Sequence, residues 1–309
     1  MRKPSDKADS REMLTSDSRV SNLEGILERL SVDERDCIIR LIYQDPLTAL
    51  YARALAIYLL ILTVFLLLPL DFELPRKNSS RWVASSNAIE FPSTGQILSV
   101  FSTKALCNRL VNGKGFSLVA WIESDTKDQS GPARIISYSL NTGLRNFTLA
   151  QSQGDMVMRL RTIQTDLNGV KPSLRVKNVF DSRAPQHLVI TYDFSFQSVY
   201  VNGKIRKREA LPQGRFTNWD PSYHLILGNE ATGNRPWKGK IYFVAIYDRP
   251  LSEKEAYQGF LDGWRLQPNV KAEDQVSSGL VVRYLFNEGK GDRISDSSGN
   301  KSPLNLYMP

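Results

Sequence analysis

Aromatic, amide and guanidinium side chains are concentrated in two polar stretches, RFTNWDPSYH (215–224) and GNEATGNRPWKGK (228–240). Aromatic faces pack against the apolar surfaces of sugar rings, while amide and guanidinium groups bond to sugar hydroxyls. We expect the two stretches to form neighbouring loops whose side chains converge at one rim. The candidate ligand-binding residues are Trp219, Tyr223, Asn229, Asn234, Arg235 and Trp237.

Trp219 is the leading candidate in this set, because Asn-Trp-Asp-Pro has the composition of an exposed turn. Signatures of catalysis are missing from the sequence. It contains no Gly-x-Ser-x-Gly elbow, no phosphate-binding loop and no His/Cys cluster suited to zinc. The two histidines, His187 and His224, each enter an apparent strand. The residues therefore predict a binding protein rather than an enzyme.

The charge balance does not indicate nucleic-acid binding. Lys and Arg number 40 against 32 Asp and Glu, which gives a net charge of +8. This excess is spread along the chain, and the one basic cluster, KIRKRE (204–209), follows a hairpin turn. No nucleic-acid-binding module is recognisable, so we interpret the cluster as a solvated basic face.

An apolar stretch divides the chain. Residues 54–70, ALAIYLLILTVFLLLPL, carry no charged residue and are at the short end of what spans a bilayer. We predict an uncleaved transmembrane anchor over residues 49–70, in preference to a buried core helix or a cleaved signal peptide. Basic residues flank both ends, so charge does not set the orientation. Cys37 and Cys107 lie on opposite sides of this anchor and cannot pair.

The region before the anchor carries helical periodicity. Ser31 followed by Glu34 predicts a capping box. Two apolar faces favour a small helical hairpin that packs on itself, with an amphipathic element on a membrane surface as the alternative. The predicted parts are a disordered tail (1–19), a helical segment (20–48), the anchor (49–70), a linker (71–85) and a β domain (86–309).

Short strands at regular spacing follow residue 82, which predicts a mainly β sandwich or jelly roll. Asn202-Gly203 predicts a type I′ hairpin, and Ser252 with Glu255 predicts the start of one short surface helix. The C-terminal residues are too few for a domain of their own. We favour their folding back as the last strand of the sandwich, although they could open a second module. The predicted strands are 116–123, 134–140, 146–151, 156–162, 187–193, 198–207, 223–229 and 240–248.

These strands resemble those of concanavalin A-like, laminin-G-type jelly-roll domains. FSLVAWIE, HLVITYD, VYVNGK, LILGN and PWKGKIYFVAIYDRPLSEKE occur in the family's order, and LVVRYLFNEGKGDRISDSSGN resembles another part of its pattern. The resemblance implies that the aromatic ring of Trp237 can plug the end of the sandwich. It also implies a calcium site, for which Asp292, Asp296 and Asn300 offer oxygen ligands. The same residues are typical of a simple turn.

Concanavalin A-like glucanases resemble this fold and use a Glu-x-Asp-x-x-Glu strand for hydrolysis. WIESDTKD offers Glu123, Asp125 and Asp128, but its last carboxylate is Asp, and its final residues are typical of a loop. This departure changes the separation that two catalytic carboxylates require. Hydrolysis is therefore a minor alternative.

The end of the apolar stretch, LTVFLLLPLDFEL (62–74), resembles the first transmembrane helix of VanZ-like membrane proteins. YLFNEGKG (284–291) and LNLYMP (304–309) match later parts of that family. The resemblance implies a chain without the family's later helices, with a cytoplasmic N-terminus and the β domain outside the cell (inner) membrane.

Together these expectations describe a membrane-anchored, extracytoplasmic module that binds a carbohydrate or another cell-envelope ligand without catalysis. The first alternative is a structural accessory or fragment of a VanZ-like protein with a multi-helix membrane partner. A glycoside hydrolase is the less favoured alternative. The identity of the ligand does not follow from the sequence, because a fold alone implies none.

Overall fold

A computed structural model of the chain describes residues 31–34, 36–37, 46–67, 78–84, 86–129, 131–171, 173–211, 214–263 and 276–309. The chain divides into two compact units, Met1–Leu74 and Pro75–Pro309. The predicted disordered tail (1–19) lies outside the described residues, as does most of the predicted linker.

The first unit contains helix α1, Pro46–Leu67. Within the described residues, no helix is both long enough and apolar enough to cross a membrane. The transmembrane anchor predicted over residues 49–70 is therefore not supported. The capping box before it is confirmed, because the backbone N–H and the hydroxyl of Ser31 each donate to Glu34 Oε2 over 2.8 Å.

The second unit is a sandwich of two antiparallel eight-stranded sheets, which confirms the mainly β architecture. The first sheet has the order β1-β2-β13-β4-β9-β10-β11, and β14 also pairs with β13. Its strands are β1 (Arg81–Trp82), β2 (Ile89–Phe91), β4 (Phe116–Ser124), β9 (Gln186–Tyr192), β10 (Phe196–Val201), β11 (Lys204–Ala210), β13 (Gly239–Tyr247) and β14 (Leu280–Tyr284).

The second sheet has the order β15-β16-β3-β12-β5-β6-β7-β8. Its strands are β3 (Ile97–Leu98), β5 (Ala133–Ser139), β6 (Arg145–Ser152), β7 (Asp155–Leu160), β8 (Leu174–Val176), β12 (His224–Leu227), β15 (Arg293–Ile294) and β16 (Leu306–Tyr307). Two helices complete the described part of this unit, α2 (Lys104–Val111) and α3 (Glu253–Asp262).

The apolar core lies between the sheets because strand side chains alternate between two faces. On β4, Phe116, Leu118, Ala120 and Ile122 belong to this core. The intervening side chains face outward, and there α3 covers the first sheet: Trp121 stacks against Phe260 with ring centroids 6.1 Å apart. Strand β4 therefore contributes side chains to two apolar clusters, one on each face. The first sheet is covered on both faces along part of its length.

Two local predictions are confirmed. Asn202 and Gly203 have φ values of 53° and 75°, as a type I′ turn between β10 and β11 requires. Ser252 and Glu255 form a complete capping box at the start of α3. Helix α2 was not predicted, because its apolar face is short and consists of Leu106, Cys107 and Leu110.

The C-terminal residues join both sheets. Strand β14 pairs with β13, with Tyr284 opposite Val244, while β15 and β16 extend the second sheet. This pairing is the arrangement expected if the segment folds back onto the sandwich.

Candidate binding site

Trp219 is a core residue, which corrects the prediction that it lies in an exposed turn. Its side chain is 6% exposed, and its ring centroid lies 4.4 Å from that of Phe216. The indole N–H donates to the carbonyl of Arg161 over 2.6 Å. Tyr223 is also buried in the core, at 5% exposure. Neither aromatic side chain can present a face to a sugar from these positions.

Trp237 is fully buried and closes the sandwich, as the family resemblance implied. Its indole N–H donates to Gln151 Oε1 over 2.8 Å. A Cβ at Gly239, whose φ is +156°, would lie 2.4 Å from the Trp237 ring and 2.3 Å from the Glu123 carbonyl. The Trp237 ring and the backbone of β4 therefore require glycine here, and Trp237 is architectural rather than ligand-binding.

The loop after β12 is shaped by Asn229, which is 1% exposed. Its Oδ1 accepts the backbone N–H of Glu230 over 2.8 Å and that of Arg235 over 3.0 Å. This amide is therefore committed to the loop and does not reach a ligand. Asn234 and Arg235 are exposed at the tip. Of the six predicted ligand-binding residues, these two alone lie on the surface.

Behind Arg235 lies a group of charged side chains that the sequence did not reveal. Three arginines come from neighbouring strands of the second sheet: Arg134 from β5, Arg145 from β6 and Arg159 from β7. Arg134 and Arg145 lie next to the carboxylate of Glu230 on the loop after β12, and the charge of Glu230 also acts on Arg159. We call these four residues the arginine cluster.

Three of the four residues of the cluster are deeply buried. Arg134 is 2% exposed, and Arg145 and Glu230 are 0% exposed. Arg134 Nε donates to Glu230 Oε2 over 3.2 Å, and Arg145 Nη2 lies 4.0 Å from the same oxygen. The other oxygen, Oε1, accepts from the Ser139 hydroxyl and from the Ala231 N–H. The carboxylate of Glu230 is thus fully used by its neighbours.

The guanidinium groups, in contrast, are not fully used. Arg145 Nε and Nη1 and Arg159 Nε are buried without a hydrogen-bond partner. Burial lowers the pKa of Arg134 to about 10 and that of Arg145 to about 9. Burial also lowers the pKa of Arg159, and the nearby charge of Arg235 lowers it further. The backbone carbonyl of exposed Arg235 accepts the N–H of Arg134 over 2.9 Å, which places Arg235 next to the cluster.

The carboxylates of β4 lie on the outer face of the first sheet. Glu123 Oε1 accepts from Lys240 over 2.6 Å, and Oε2 accepts from Tyr242 over 2.5 Å. Burial alone would raise the pKa of Glu123, but these two bonds outweigh it and lower the pKa. Burial raises the pKa of Asp125, two residues further on.

Two of the three predicted calcium ligands, Asp296 and Asn300, are hydrogen-bonded to backbone groups. Both carboxylate oxygens of Asp296 accept backbone N–H groups, from Arg283, Ser298 and Leu304. The amide of Asn300 donates to the carbonyls of Leu280 and Val281. Asp292 is exposed. Among the residues described, no three His, Cys, Asp or Glu side chains are grouped so as to hold a metal ion.

His187 is buried between aromatic rings on the outer face of the first sheet. Its ring centroid lies 5.0 Å from that of Trp121, and α3 covers it with Phe260. Burial lowers the pKa of His187 to about 3. His224 bonds through Nδ1 to the Ser99 carbonyl over 2.7 Å. His187 is covered by α3 and His224 is half-buried beside β3, as expected of structural residues.

Several solved structures of known proteins are similar to this chain. A candidate carbohydrate-binding protein from Bacteroides ovatus is 16% identical, with a TM-score of 0.48, over 72% of this chain and 60% of that protein. A solved structure of botulinum neurotoxin type C, whose cell entry depends on two ganglioside molecules, is 13% identical, with a TM-score of 0.45, over 60% of this chain and 45% of the chain in that structure. The receptor-binding domain of botulinum neurotoxin type G is 13% identical, with a TM-score of 0.43, over 57% of this chain and 42% of that domain.

The chain therefore spans less than two thirds of each of these structures. No curated protein matches it. These comparisons do not show the relationship to VanZ-like membrane proteins that the sequence suggested. A family model does match, over residues 99–256, which is slightly more than half of the chain. The chain belongs to the concanavalin A-like lectin/glucanase superfamily, in its laminin G-type branch.

Proposed function

We propose that the sandwich is a non-catalytic carbohydrate-binding module whose site lies on the outer face of the second sheet. The observation that carries this proposal is the arginine cluster, in which buried guanidinium N–H groups without a partner lie behind exposed Arg235. Membership of a superfamily of lectins and glucanases supports a carbohydrate as the ligand class.

The side chains at this face suit a hydroxyl-rich ligand. Asn234 and Arg235 are exposed at the loop tip, and Arg159 of the arginine cluster is half-buried. An amide both donates and accepts hydrogen bonds, and a guanidinium group presents donors in a rigid fork. Such groups orient a sugar through its hydroxyls. The fully buried residues of the arginine cluster hold the guanidinium groups in position.

Glycoside hydrolysis is the second candidate, because Glu123 lies near the end of β4, Asp125 follows that strand directly, and their pKa values move in opposite directions. Pairs of carboxyl groups separated in this way are typical of acid and base roles. Against hydrolysis, both oxygens of Glu123 are held by Lys240 and Tyr242. A carboxylate in that position is stabilised in its charged form and has no free oxygen for a substrate.

The test uses the full chain and a panel of envelope oligosaccharides. A ligand that binds only the folded state raises the unfolding midpoint by mass action. We expect one class of oligosaccharide to raise the midpoint, and Arg235→Ala to remove the shift while leaving the midpoint of the free protein unchanged. Calorimetric titration gives the affinity of the same pair.

Glu123→Gln separates the two candidates. In the binding proposal it leaves the affinity unchanged, and no reducing sugar is released by either protein. Release of reducing sugar by the wild type that is abolished in Glu123→Gln would establish a hydrolase. A cooperatively folded protein that binds no oligosaccharide would support the structural-accessory alternative, which co-purification of a multi-helix membrane protein tests directly. An extracytoplasmic location stays a prediction from the sequence.

A further inference from the structure

We propose that the site selects acidic glycans, and that the arginine cluster with Arg235 receives the carboxylate or sulfate group of one sugar unit. This inference rests on the proposed function and names the class of ligand. It is carried by an imbalance of charge and by hydrogen-bond donors that nothing within the described residues satisfies.

The imbalance is visible when the charged groups are counted. Arg134 and Arg159 act on Arg145, Arg235 acts on Arg134 and Arg159, and Glu230 and Asp166 are the carboxylates that act on this group. Arg175 also acts on Arg159, but it is paired with Asp155 over 3.0 Å and adds no unpaired charge. Four guanidinium groups therefore face two carboxylates, leaving an excess of two positive charges. The side chain of Asp166 also accepts the N–H of Val170 over 2.8 Å, so part of its capacity is used within its own loop.

Such an excess is unfavourable without a partner. A buried charge costs free energy unless it is paired and hydrogen-bonded. Glu230 compensates Arg134 directly, but Arg145 reaches it only over 4.0 Å. The Nε and Nη1 groups of Arg145 and the Nε of Arg159 are left with no acceptor. An anion placed beside them would accept these bonds and neutralise the excess charge.

The exposure of the four arginines increases from the buried side of the cluster to the loop tip. Arg134 and Arg145 are buried at the base, Arg159 is half-buried, and Arg235 is exposed at the loop tip. The planar fork of arginine matches carboxylate and sulfate oxygens two at a time. An acidic group entering past Arg235 would therefore meet Arg159 next, with its sugar ring left at the surface near Asn234.

A second basic region of the molecule lacks these properties. A cavity of about 430 Å³ between β8 and β11 is lined by Arg175, Val176, Lys177, Arg206 and Lys207. There Arg206 donates to the Lys177 carbonyl over 3.3 Å, and Lys207 donates to the Arg175 carbonyl over 3.0 Å. Arg175 is paired with Asp155 over 3.0 Å. These cations connect the edges of the two sheets and already have acceptors.

The experiment compares a galacturonic acid trisaccharide with its methyl ester, which keeps the sugar and removes the charge. A sulfated neutral trisaccharide forms the third arm and separates sulfate from carboxylate as the preferred acid. Each is titrated into the full chain by calorimetry at low and at physiological salt. We expect an acidic trisaccharide to bind at least about tenfold more tightly than the ester, since a charge-assisted hydrogen bond is roughly twice as strong as a neutral one. We expect its affinity to fall as salt rises.

Two variants and one matched control locate the effect. Arg235→Gln and Arg159→Gln should each weaken binding of the acidic trisaccharide about tenfold or more and leave the ester unaffected. Arg293→Gln removes the same charge from an exposed position on β15 and should change neither affinity. If Arg159→Gln does not fold, Arg235→Gln remains decisive because its side chain is exposed.

The outcomes separate this inference from the function on which it rests. Equal binding of acid and ester would overturn the acidic preference and leave carbohydrate binding in place. Acid binding that is unchanged in Arg235→Gln and Arg159→Gln, or reduced as much by Arg293→Gln, would also overturn it. A folded protein that binds none of the three trisaccharides or the wider panel would overturn both proposals.

Discussion

The outer faces of the two sheets carry charge in opposite arrangements. Across the first sheet, Arg81, Glu90, Lys240 and Glu123 lie opposite one another on four adjacent strands and alternate in sign. Arg81 and Glu90 are 2.7 Å apart, and Lys240 and Glu123 are 2.6 Å apart. Across the second sheet, three neighbouring strands each contribute an arginine, and one loop contributes a single carboxylate.

This difference separates a structural use of charge from a binding use. Opposite charges directly across a sheet stabilise strand pairing by a small amount. The row on the first sheet is complete in this sense, because each charge has its complement on the next strand. The arginine cluster is incomplete, and a cluster with surplus buried donors gains more from an external anion than a balanced row does. Four predictions test this contrast, from the largest expected effect to the smallest.

The largest effect is expected from removing the carboxylate of the arginine cluster. Glu230→Gln removes the carboxylate that lies next to Arg134 and Arg145, and breaking a buried ion pair in this way costs about 3–5 kcal/mol. Urea unfolding of the full chain measures this free energy. Glu90→Gln is the matched change on the first sheet and should cost about 1 kcal/mol or less, since its partner Arg81 is largely exposed. Equal losses in the two variants would contradict the distinction between the faces.

Acid should destabilise the first sheet through a buried neutral group rather than through its charges. The pKa of His187 is about 3 in the folded protein and about 6.5 when unfolded. Below pH 6.5 the unfolded chain therefore binds a proton that the folded chain does not, so stability falls until about pH 3. Relative to His187→Leu, the wild type should lose about 2 kcal/mol between pH 7 and pH 5. Urea unfolding at both pH values gives the difference, and parallel pH profiles would show that His187 is not the source.

A smaller gain in stability is expected from removing a buried guanidinium group that donates to the Thr142 carbonyl but leaves its Nε and Nη1 without an acceptor. Arg145→Met replaces a buried guanidinium by an apolar side chain and should raise the free energy of unfolding by about 1 kcal/mol. The same change should weaken binding of an acidic trisaccharide. Arg134→Met is the opposite control, because it removes the direct partner of Glu230 and should destabilise the protein. A loss of stability in both variants would mean that the cluster is a structural network without surplus charge.

The smallest effect is expected at Glu123. Its ion pair with Lys240 is partly exposed, so Glu123→Gln should cost about 1 kcal/mol or less. Binding of glycans should be unchanged, because Glu123 lies on the first sheet and the proposed site is on the second. Unfolding and calorimetry on one preparation measure both quantities. A weakened affinity would move the site to the first sheet.

The sequence predicted those parts of the fold that depend on residues close together in the chain. Short strand-like runs separated by turn residues located β4, β5, β6 and β13 to within about a residue at each end. Asn202-Gly203 gave its hairpin because few residue pairs adopt two positive φ values.

The candidate site did not follow, because its residues are brought together by strand order. Arg134, Arg145 and Arg159 each sit at ordinary strand positions, and Glu230 comes seventy or more residues after all of them. No short-range pattern connects these positions. Trp219 failed for a related reason: Asn-Trp-Asp-Pro predicts a turn, but a turn does not determine whether its aromatic side chain points outward or, as here, towards Phe216.

The position of the last strands affects how the protein is made. Tyr307 on β16 pairs with Leu98 on β3, roughly 200 residues earlier, and β14 completes the pairing of β13. The earliest strands of the sandwich therefore leave the ribosome long before their partners are synthesised. Contacts between such distant residues slow folding, and the apolar edges that they will cover stay open until then. The sandwich is thus completed only after translation has passed β16, and the nascent chain must be kept from pairing with others in the meantime.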